Sequence, residues 1–502
     1  MFVLALIILT VSLVSKLTSY QPTIKKEHEA QQENASQNQY GPDRELRAVW
    51  MSRFDYTKNL QTTSPEKIKN YISTTFQKMA EANFNAVFFQ IRGNGDAYYQ
   101  SSYEPWGKLL TGQLGRDPGW DPLAYALQEA HKNGLDLHAW INVFPAWRGS
   151  RKPQHTLPVH PYLKYSDWIV HDSSGKAMEL NSHYVSFSPG NPQVQNYIIK
   201  IIEDVITKYR VDGIHFDYIR YPEGGNYSHD PVSLKRFESR QHNPLQLDWE
   251  DWQREQVTNF VARAYNLINK ENPSIVMSAA VIGSYKARRW NGYSRVYQDA
   301  KRWLELGKID MIVPMTYVGR QPDSSGFRLF LGEWSNSRSK DRKIVAGIGV
   351  YKISRPEVLK EIDDIRQAGL DGCCLFSAGS LTDTLFQDLK EIKFRYPAKR
   401  LSMKWKSTFT PELAQNLQIS KTSDHLILQW KNSRNENSDQ NFVIYASADS
   451  TLDSSDVSKI VDIIPGQSQK YIIEKKQASD RNYFITTLNG AGLESRVSRF
   501  PR

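Results

Sequence analysis

The chain has 502 residues, of which 40% are hydrophobic and 24% are charged; this balance excludes a wholly disordered chain and a multi-span membrane protein, and the length favours two or three globular domains. The formal net charge of +10 is spread along the chain instead of being gathered in basic blocks, so the sequence predicts no nucleic-acid partner. The two cysteines, Cys373 and Cys374, are adjacent, which excludes a disulfide framework and a metal site built on several cysteines.

The N-terminus begins with a short apolar segment followed by a polar stretch. Residues 1–20 are predicted to be a signal peptide or an N-terminal anchor, because the apolar run is about right for a signal peptide and too short to span a bilayer comfortably. Residues 21–43, rich in Gln and Asn, are predicted to be a polar linker. We therefore expect export to the periplasm, the cell envelope or the extracellular space, with membrane anchoring through the apolar segment as the alternative.

Residues 44–400 alternate between short apolar, β-branched runs and longer stretches with helical period, which is typical of repeated βα units. The strand candidates are 47–54, 86–93, 136–144, 211–218, 275–282, 309–318, 343–351 and 372–377. Eight such units in roughly 350 residues predict an α/β fold, the (β/α)8 TIM barrel. A doubly wound open sheet is the alternative, but its glycine-rich phosphate loop is missing.

Residues 405–502 change to alternating strands without helices, at 416–421, 425–430, 441–446, 470–474 and 482–488. This pattern predicts a small antiparallel all-β sandwich. The stretch resembles a fibronectin type III module, with Trp430, Tyr445 and Tyr483 at the positions of the usual core aromatics.

Catalytic groups of such a barrel lie at the carboxyl ends of its strands. Asp217 ends the fourth strand between two aromatic residues, so we expect its carboxylate to point into the barrel mouth; the alternative is an ion pair with Arg220 or Arg92 that seals the mouth. Asp96 follows the second strand and is the expected partner, with an Asx turn as the alternative. Glu223 is the reserve acid.

Aromatic and polar residues recur at the other strand ends. The expected substrate-binding residues are Trp50, Arg53, Gln90, Arg92, Trp140, Asn142, Tyr218, Tyr317 and Tyr351. Stacking faces and hydrogen-bond donors in a ring suit a saccharide better than a phosphate or a metal. Glycosidic cleavage needs an acid and a second carboxylate, or the substrate's own amide, and the separation of the two carboxyls decides between retention and inversion.

The sequence offers little support for a metal site or for a catalytic nucleophile. His138 and His215 lie inside predicted strands, and neither an HExxH motif nor a G-x-S-x-G elbow is present. Cys373 and Cys374 fall in the eighth predicted strand, where core thiols are expected. We therefore expect no metal and no cofactor, and the sequence leaves the oligomeric state open.

Several segments in order resemble the bacterial glycosyl-hydrolase-like family ten, over about residues 44–396. The matching segments are RAVW at 47–50, VFFQIRGNGD at 87–96, PW at 105–106, LTG at 110–112, DPGWDPL at 117–123, HAWIN at 138–142, DGIHFD at 212–217 and YK at 351–352. The resemblance implies a hydrolase acting on β-linkages between amino sugars, since the family includes a peptidoglycan glycosidase, and it places Asp217 and Asp96 among the shared pocket carboxylates.

The fourth-strand motif is also similar, more distantly, to that of chitinases, but Ile219 stands where the chitinase acid would be. We therefore expect an exported glycoside hydrolase that cleaves an amino-sugar glycan, most directly peptidoglycan strands. The alternatives are a non-catalytic carbohydrate-binding protein of the envelope, and an amidase or transglycosylase of the same polymer.

Overall fold

The computed structural model describes residues 41–181, 183–224, 227–318, 325–339, 341–431, 440–476 and 481–501. The predicted signal peptide and residues 21–40 of the predicted linker lie outside these ranges. Within the described ranges, the structure contains no helix long and apolar enough to cross a membrane.

Parallel strands close into a barrel, as the sequence predicts. The strands of this part of the chain are β1 Leu46–Met51, β2 Ala86–Arg92, β3 Asp136–Asn142, β4 Pro145–Trp147, β5 Val185–Ser186, β6 Gly213–Asp217, β7 Val276–Ile282, β8 Met311–Met315, β9 Lys343–Ile344, β10 Ala346–Gly349 and β11 Gly372–Phe376. The barrel order is β10-β11-β1-β2-β3-β6-β7-β8, and pairing of β8 with β10 closes it. The predicted seventh strand is split into β9 and β10, and β4 and β5 form a small antiparallel pair in the loop after β3.

Helices surround the barrel, and the long ones, such as Pro65–Glu81 and Pro192–Lys208, bury an apolar face. The α-helices are Pro65–Glu81, Lys108–Thr111, Pro122–Lys132, Pro161–Lys164, Pro192–Lys208, Pro231–Glu238, Trp249–Glu271, Gly292–Arg295, Ala300–Leu306, Ser325–Ser335, Arg355–Gln367 and Asp383–Asp388. Many begin with a proline in the first turn, where the missing N–H costs nothing, behind a side-chain cap such as Ser64, Asp121 or Asn191.

Aromatic side chains fill the barrel interior around a buried histidine. The Trp50 indole N–H donates to His215 Nε2 at 2.9 Å, and His215 Nδ1 lies 2.8 Å from Ser278 Oγ. The Phe88 ring stacks on the imidazole with 4.2 Å between centroids. Because Nε2 accepts, the proton sits on Nδ1, and burial holds the pKa of His215 well below its usual range. This neutral histidine is part of the core, as the sequence predicts.

The chain that leaves the barrel closes its amino end. Leu401 and Met403 are buried against Leu46 and Met311, which lie at the starts of β1 and β8. Asp310, just before β8, accepts hydrogen bonds from the side chains that follow, the Trp405 indole at 2.7 Å and the Lys406 ammonium at 2.9 Å. The segment between the predicted domain boundaries at 400 and 405 is therefore built into the barrel base, and the boundaries themselves stay predictions.

Two antiparallel sheets form the C-terminal part, which confirms the predicted sandwich. Its strands are β12 Gln415–Lys421, β13 His425–Lys431, β14 Asn441–Ser447, β15 Ile460–Pro465, β16 Lys470–Glu474, β17 Asn482–Leu488 and β18 Ser498–Arg499. The sheets have the orders β12-β13-β16 and β15-β14-β17-β18. Trp430 and Tyr483 lie in the core between the sheets, but Tyr445 packs on the opposite face and donates to Glu494. The sequence missed β15 and β18, and the fibronectin type III resemblance stays a prediction.

The first prediction concerns His138, which is buried beside Phe88 and has no hydrogen-bond partner on Nδ1 within the described residues. Burial lowers its pKa to about 4, whereas an unfolded histidine titrates near 6.5. The unfolded chain therefore binds the proton first, and stability falls as the pH drops from about 6.5 towards 4. Between pH 6.5 and 5 this histidine is expected to remove about 2 kcal/mol from the free energy of unfolding.

Urea titrations at several pH values measure this slope for His138→Gln and for the exposed matched control His425→Gln. We expect a shallower pH dependence only for His138→Gln, because the glutamine cannot be protonated. An unchanged slope would show that His138 is not a neutral buried group.

Candidate functional site

Asp217 is the last residue of β6 and lies beside Asn142 of β3 in the strand register. The carboxylate is buried, and one oxygen, Oδ1, accepts from the Tyr218 backbone N–H at 2.6 Å and from Arg220 Nη1 at 3.4 Å. No group in the described ranges bonds to Oδ2. Burial raises the pKa of Asp217 against the pull of the Arg220 guanidinium.

Asp55 shows what a purely structural carboxylate looks like in the same barrel. It is buried after β1, and burial also raises its pKa. Both of its oxygens are occupied: Oδ2 accepts from the N–H and hydroxyl of Ser52, and Oδ1 accepts from the Ser377 hydroxyl and the Gly379 N–H. Asp55 thus links the loop after β1 to the loop after β11, whereas one carboxylate oxygen of Asp217 has no partner among the described residues.

A polar network runs from Asp217 along the neighbouring strand ends. Asn142 Oδ1 accepts from Gln90 Nε2 at 3.1 Å and from the Trp140 indole at 3.0 Å, and Gln90 Oε1 accepts from the Arg53 backbone N–H at 3.1 Å. The structure therefore brings these four predicted binding residues together. Within the described residues the amide nitrogen of Asn142 has no acceptor, so it can donate to a sugar hydroxyl.

Aromatic rings form the other side of the mouth. The ring centroid of Phe376 lies 5.5 Å from that of Tyr317 and 6.0 Å from that of Tyr351, which is 56% exposed. Burial raises the pKa of Tyr317, and the charge of Asp217 raises it further, so the Tyr317 hydroxyl lies within electrostatic reach of Asp217. Sequence reasoning missed Phe376, although it is the last residue of β11.

Arg220 packs on the ring of Tyr218, which has a positive φ of 50°, and two more guanidinium groups act on its phenol. Arg220 lies 4.5 Å above the Tyr218 ring, while Arg53 and Arg148 lie 4.4 and 5.4 Å from the ring of Phe54. Burial raises the pKa of the Tyr218 phenol, and all three arginines act against that rise, so each lies near it. Sequence reasoning identified no binding role for Arg148 or Arg220. The mouth is consequently cationic beside Asp217.

Asp96 lies in the tight loop after β2. Its Oδ1 accepts from the Asn94 backbone N–H at 2.7 Å, and its Oδ2 lies 3.4 Å from the Tyr98 hydroxyl. A Cβ at Gly93 would approach Arg53 Cζ to 2.7 Å and Asp96 Oδ1 to 2.8 Å, so the carboxylate and the guanidinium flank this glycine. The Asp96 carboxylate thus accepts from the N–H two residues before it, whereas an Asx turn would need the N–H of Tyr98, which donates to the Ile91 carbonyl instead. The catalytic partnership with Asp217 stays a prediction.

Two predicted binding residues are corrected by the structure. Arg92 is fully buried: it pairs with Glu104 at 2.7 Å and donates to the carbonyl oxygens of Asn142 and Val143. Trp50 is buried in the barrel interior, where its indole N–H donates a hydrogen bond to His215. Neither side chain presents a free face to a ligand, because both are buried and bonded to groups inside the barrel.

Glu223 lies at the solvent-exposed rim, and its role as the reserve acid stays a prediction. Its carboxylate accepts a hydrogen bond from the indole N–H of Trp290, a residue that sequence reasoning missed. The two residues are separated by 67 positions along the chain, so no local pattern could have paired them.

No group of three or more His, Cys, Asp and Glu side chains is placed to hold a metal ion within the part of the chain that the structure describes. Cys373 and Cys374 are both buried in β11, and burial raises the pKa of Cys373 to about 12. A thiol in this state is a poor nucleophile.

Comparison with known proteins adds a family match. The family described as glycosyl hydrolase-like 10 matches residues 45–363. The chain is 26% identical to glycosyl hydrolase YngK of Bacillus subtilis over 423 residues (78% of this chain, 79% of that protein), and 27% identical to glycosyl hydrolase DigH of Escherichia coli over 344 residues (63% and 75%). A solved β-amylase catalytic domain of Paenibacillus polymyxa is similar at 12% identity and a TM-score of 0.48, over 70% of this chain and 98% of that one. The family match includes Asp96, Asp217 and Tyr351.

The second prediction tests the corrected role of Arg92. Replacing Glu104 by Gln leaves a fully buried guanidinium without its counter-charge, so we expect the free energy of unfolding to fall by about 3–5 kcal/mol. The matched control is Glu179→Gln, which breaks an exposed pair with Lys176 and is expected to leave stability unchanged. Urea denaturation followed by tryptophan fluorescence measures both. Equal stabilities for the two variants would contradict a structural role.

Proposed function

Because this chain belongs to the glycosyl hydrolase-like 10 family, we propose that it is an exported glycoside hydrolase that cleaves amino-sugar glycans, most directly the glycan strands of peptidoglycan. The observation that carries the proposal is the buried Asp217 carboxyl at the barrel mouth, with one oxygen that no described group occupies. A carboxyl in that setting can transfer a proton to a glycosidic oxygen.

The chemistry follows from the state of Asp217. Burial raises its pKa, so the protonated form persists to higher pH than for a carboxyl in water. That proton passes to the leaving oxygen as the bond to the anomeric carbon breaks, and the resulting oxocarbenium-like centre needs a negative or dipolar group on its other side. Asp96 or the amide of the amino sugar takes that part, and water completes the hydrolysis.

The substrate class is supported by the surroundings of Asp217. Tyr351 and Phe376 offer ring faces on which a pyranose can stack, and Asn142 offers an amide donor. The guanidiniums of Arg53 and Arg220 suit a negatively charged strand, such as peptidoglycan freed of its peptides, in which the muramic acid carries a free carboxylate. Export is supported by the apolar segment at residues 1–20.

A non-catalytic carbohydrate-binding protein is the second candidate. Ile219 stands where the distantly similar chitinases carry their acid, and its hydrocarbon side chain has no proton to donate. The same mouth would then hold a glycan without cutting it. The two candidates differ in whether new reducing ends form.

The third prediction is that Asp217→Asn abolishes cleavage. The amide keeps the size of the side chain but cannot donate the proton, so the release of reducing ends from peptide-free peptidoglycan strands should fall at least about 100-fold. Asp424→Asn, the same change at an exposed position of the sandwich, should leave the rate unchanged.

Three other outcomes of that assay decide against parts of the proposal. Binding of strands by the wild type without new ends would favour the binding protein. Products with the mass of free peptides or anhydro-sugars would indicate an amidase or a transglycosylase. Full activity of Asp217→Asn would remove this residue from the mechanism.

The fourth prediction concerns pH. Arg220 is the cation that opposes the effect of burial on Asp217, so Arg220→Gln raises the pKa of that carboxyl further. If Asp217 acts as the acid, its active protonated form then survives to higher pH, and the alkaline limb of kcat/KM should move up by about one unit or more. Arg496→Gln, at an exposed site in the sandwich, is the control. A shift of the acidic limb instead would mean that Asp217 works ionised.

A further inference from the structure

Trp290 is a large aromatic side chain on the surface of the barrel mouth. It is 43% exposed in the loop after β7, and its indole N–H is held by Glu223 in the loop after β6. Within the described residues, the other aromatic side chains of comparable exposure are Tyr351 and Phe409. Tyr351 is also at the mouth, whereas Phe409 lies in the chain before β12. The exposed rings of the barrel are therefore at the end that carries Asp217.

Trp290 is tied to the loop that begins after Asp217. Glu223, which accepts the indole N–H, lies in that loop. Tyr218 follows Asp217 directly, and its ring centroid lies 5.0 Å from that of Tyr184. Burial raises the pKa of Tyr184 to about 12, and the negative charges of Asp217 and Glu223 add to that rise.

The strand ends that follow around the barrel carry aromatic rings as well. In the barrel order β7 lies between β6 and β8, so the loop that carries Trp290 is flanked by the strand that ends at Asp217 and by the strand that Tyr317 follows. Tyr351, after β10, has its ring centroid 6.3 Å from that of Tyr317. Aromatic side chains thus follow the mouth from the loop after β6 to the end of β10, and they offer stacking faces to more than one sugar of a chain.

The flank at Trp290 also carries positive charge. Lys286, Arg288 and Arg289 precede Trp290 in an exposed loop, and Glu333 fixes that loop by accepting the backbone N–H groups of Lys286 and Ala287. A fixed indole beside several cations suits a sugar ring from a negatively charged polymer.

We propose that Trp290 is a stacking platform for a distal sugar of the same glycan chain, and that Glu223 is a positioning residue that orients the indole. The ligand is a pyranose ring of a long, negatively charged strand, namely a sugar other than the one whose bond is cut at Asp217. This inference rests on the proposed function for its substrate, but its binding test does not require cleavage.

Binding is measured first, by isothermal titration with the Asp217→Asn protein so that cleavage does not interfere. Adding Trp290→Ala should weaken the binding of long peptide-free peptidoglycan strands about three- to tenfold, which is the size of one lost stacking contact. Binding of a disaccharide from the same strands should stay unchanged, because it does not reach Trp290. Phe409→Ala, which removes an exposed ring elsewhere, is the matched control. Unweakened binding of long strands by Trp290→Ala would overturn the proposal.

Glu223 is tested by two substitutions that separate positioning from acid catalysis. Glu223→Gln keeps a side-chain oxygen that can accept the indole N–H but cannot supply a proton, so activity on long strands should stay within about twofold of wild type. Glu223→Ala loses the acceptor and should raise KM on long strands as Trp290→Ala does, with kcat retained. A loss of cleavage in Glu223→Gln as deep as that in Asp217→Asn would make Glu223 the acid and overturn the proposal.

The proposed function and the proposed role of Trp290 can be overturned separately. If the wild type releases no reducing ends, the proposed function falls, while the titrations still decide whether Trp290 holds a distal sugar. If the wild type cleaves long strands and Trp290→Ala binds and cleaves them as the wild type does, the proposed stacking platform is overturned and the hydrolase remains.

Discussion

The buried ion pair between Arg92 and Glu104 sets the geometry on which the mouth of the barrel depends. Arg92 also donates to the carbonyl oxygens of Asn142 and Val143, and the Val143 N–H donates to the carbonyl of Asp217 at 2.8 Å. One guanidinium from β2 thus fixes the end of β3, which in turn fixes the end of β6. Since a buried ion pair adds little net stability over an apolar packing, its contribution here is the fixed position of these strand ends.

The two ends of the barrel have different functions. At the amino end, the segment that connects the barrel to the sandwich buries Leu401 and Met403 and pairs Lys406 with Asp310. In the same segment, Lys399 forms an ion pair with Glu494 of the sandwich at 2.9 Å. These contacts attach the C-terminal module to the end opposite Asp217. The loops at the carboxyl end are therefore free to form a glycan cleft while the base supplies stability, a division that is general in this fold.

The sequence predicted the barrel and the position of Asp217 because both depend on local signals, namely apolar runs of strand length and a carboxylate at the end of one. It failed for Arg92, because the residue that neutralises it, Glu104, lies in a loop with no periodic pattern. It missed the pair of Glu223 and Trp290 because two loops far apart in the chain meet only in the folded barrel. The position of a residue at a strand end can be predicted from the sequence, whereas a contact between two loops that are far apart in the chain is seen only in the tertiary structure.

The guanidinium groups near Asp217 bear on the proposed amino-sugar substrate for an electrostatic reason. Arg53 and Arg220 would attract the proposed anionic strand, but their charge opposes the positive charge that develops at the anomeric carbon. A proton from Asp217 does not relieve that opposition, so an oxygen with negative character must face the reacting carbon. Asp96 can supply one, although Arg53 beside it offsets part of its charge. The acetamido oxygen of an amino sugar supplies another, carried by the substrate itself, which a plain hexose would lack.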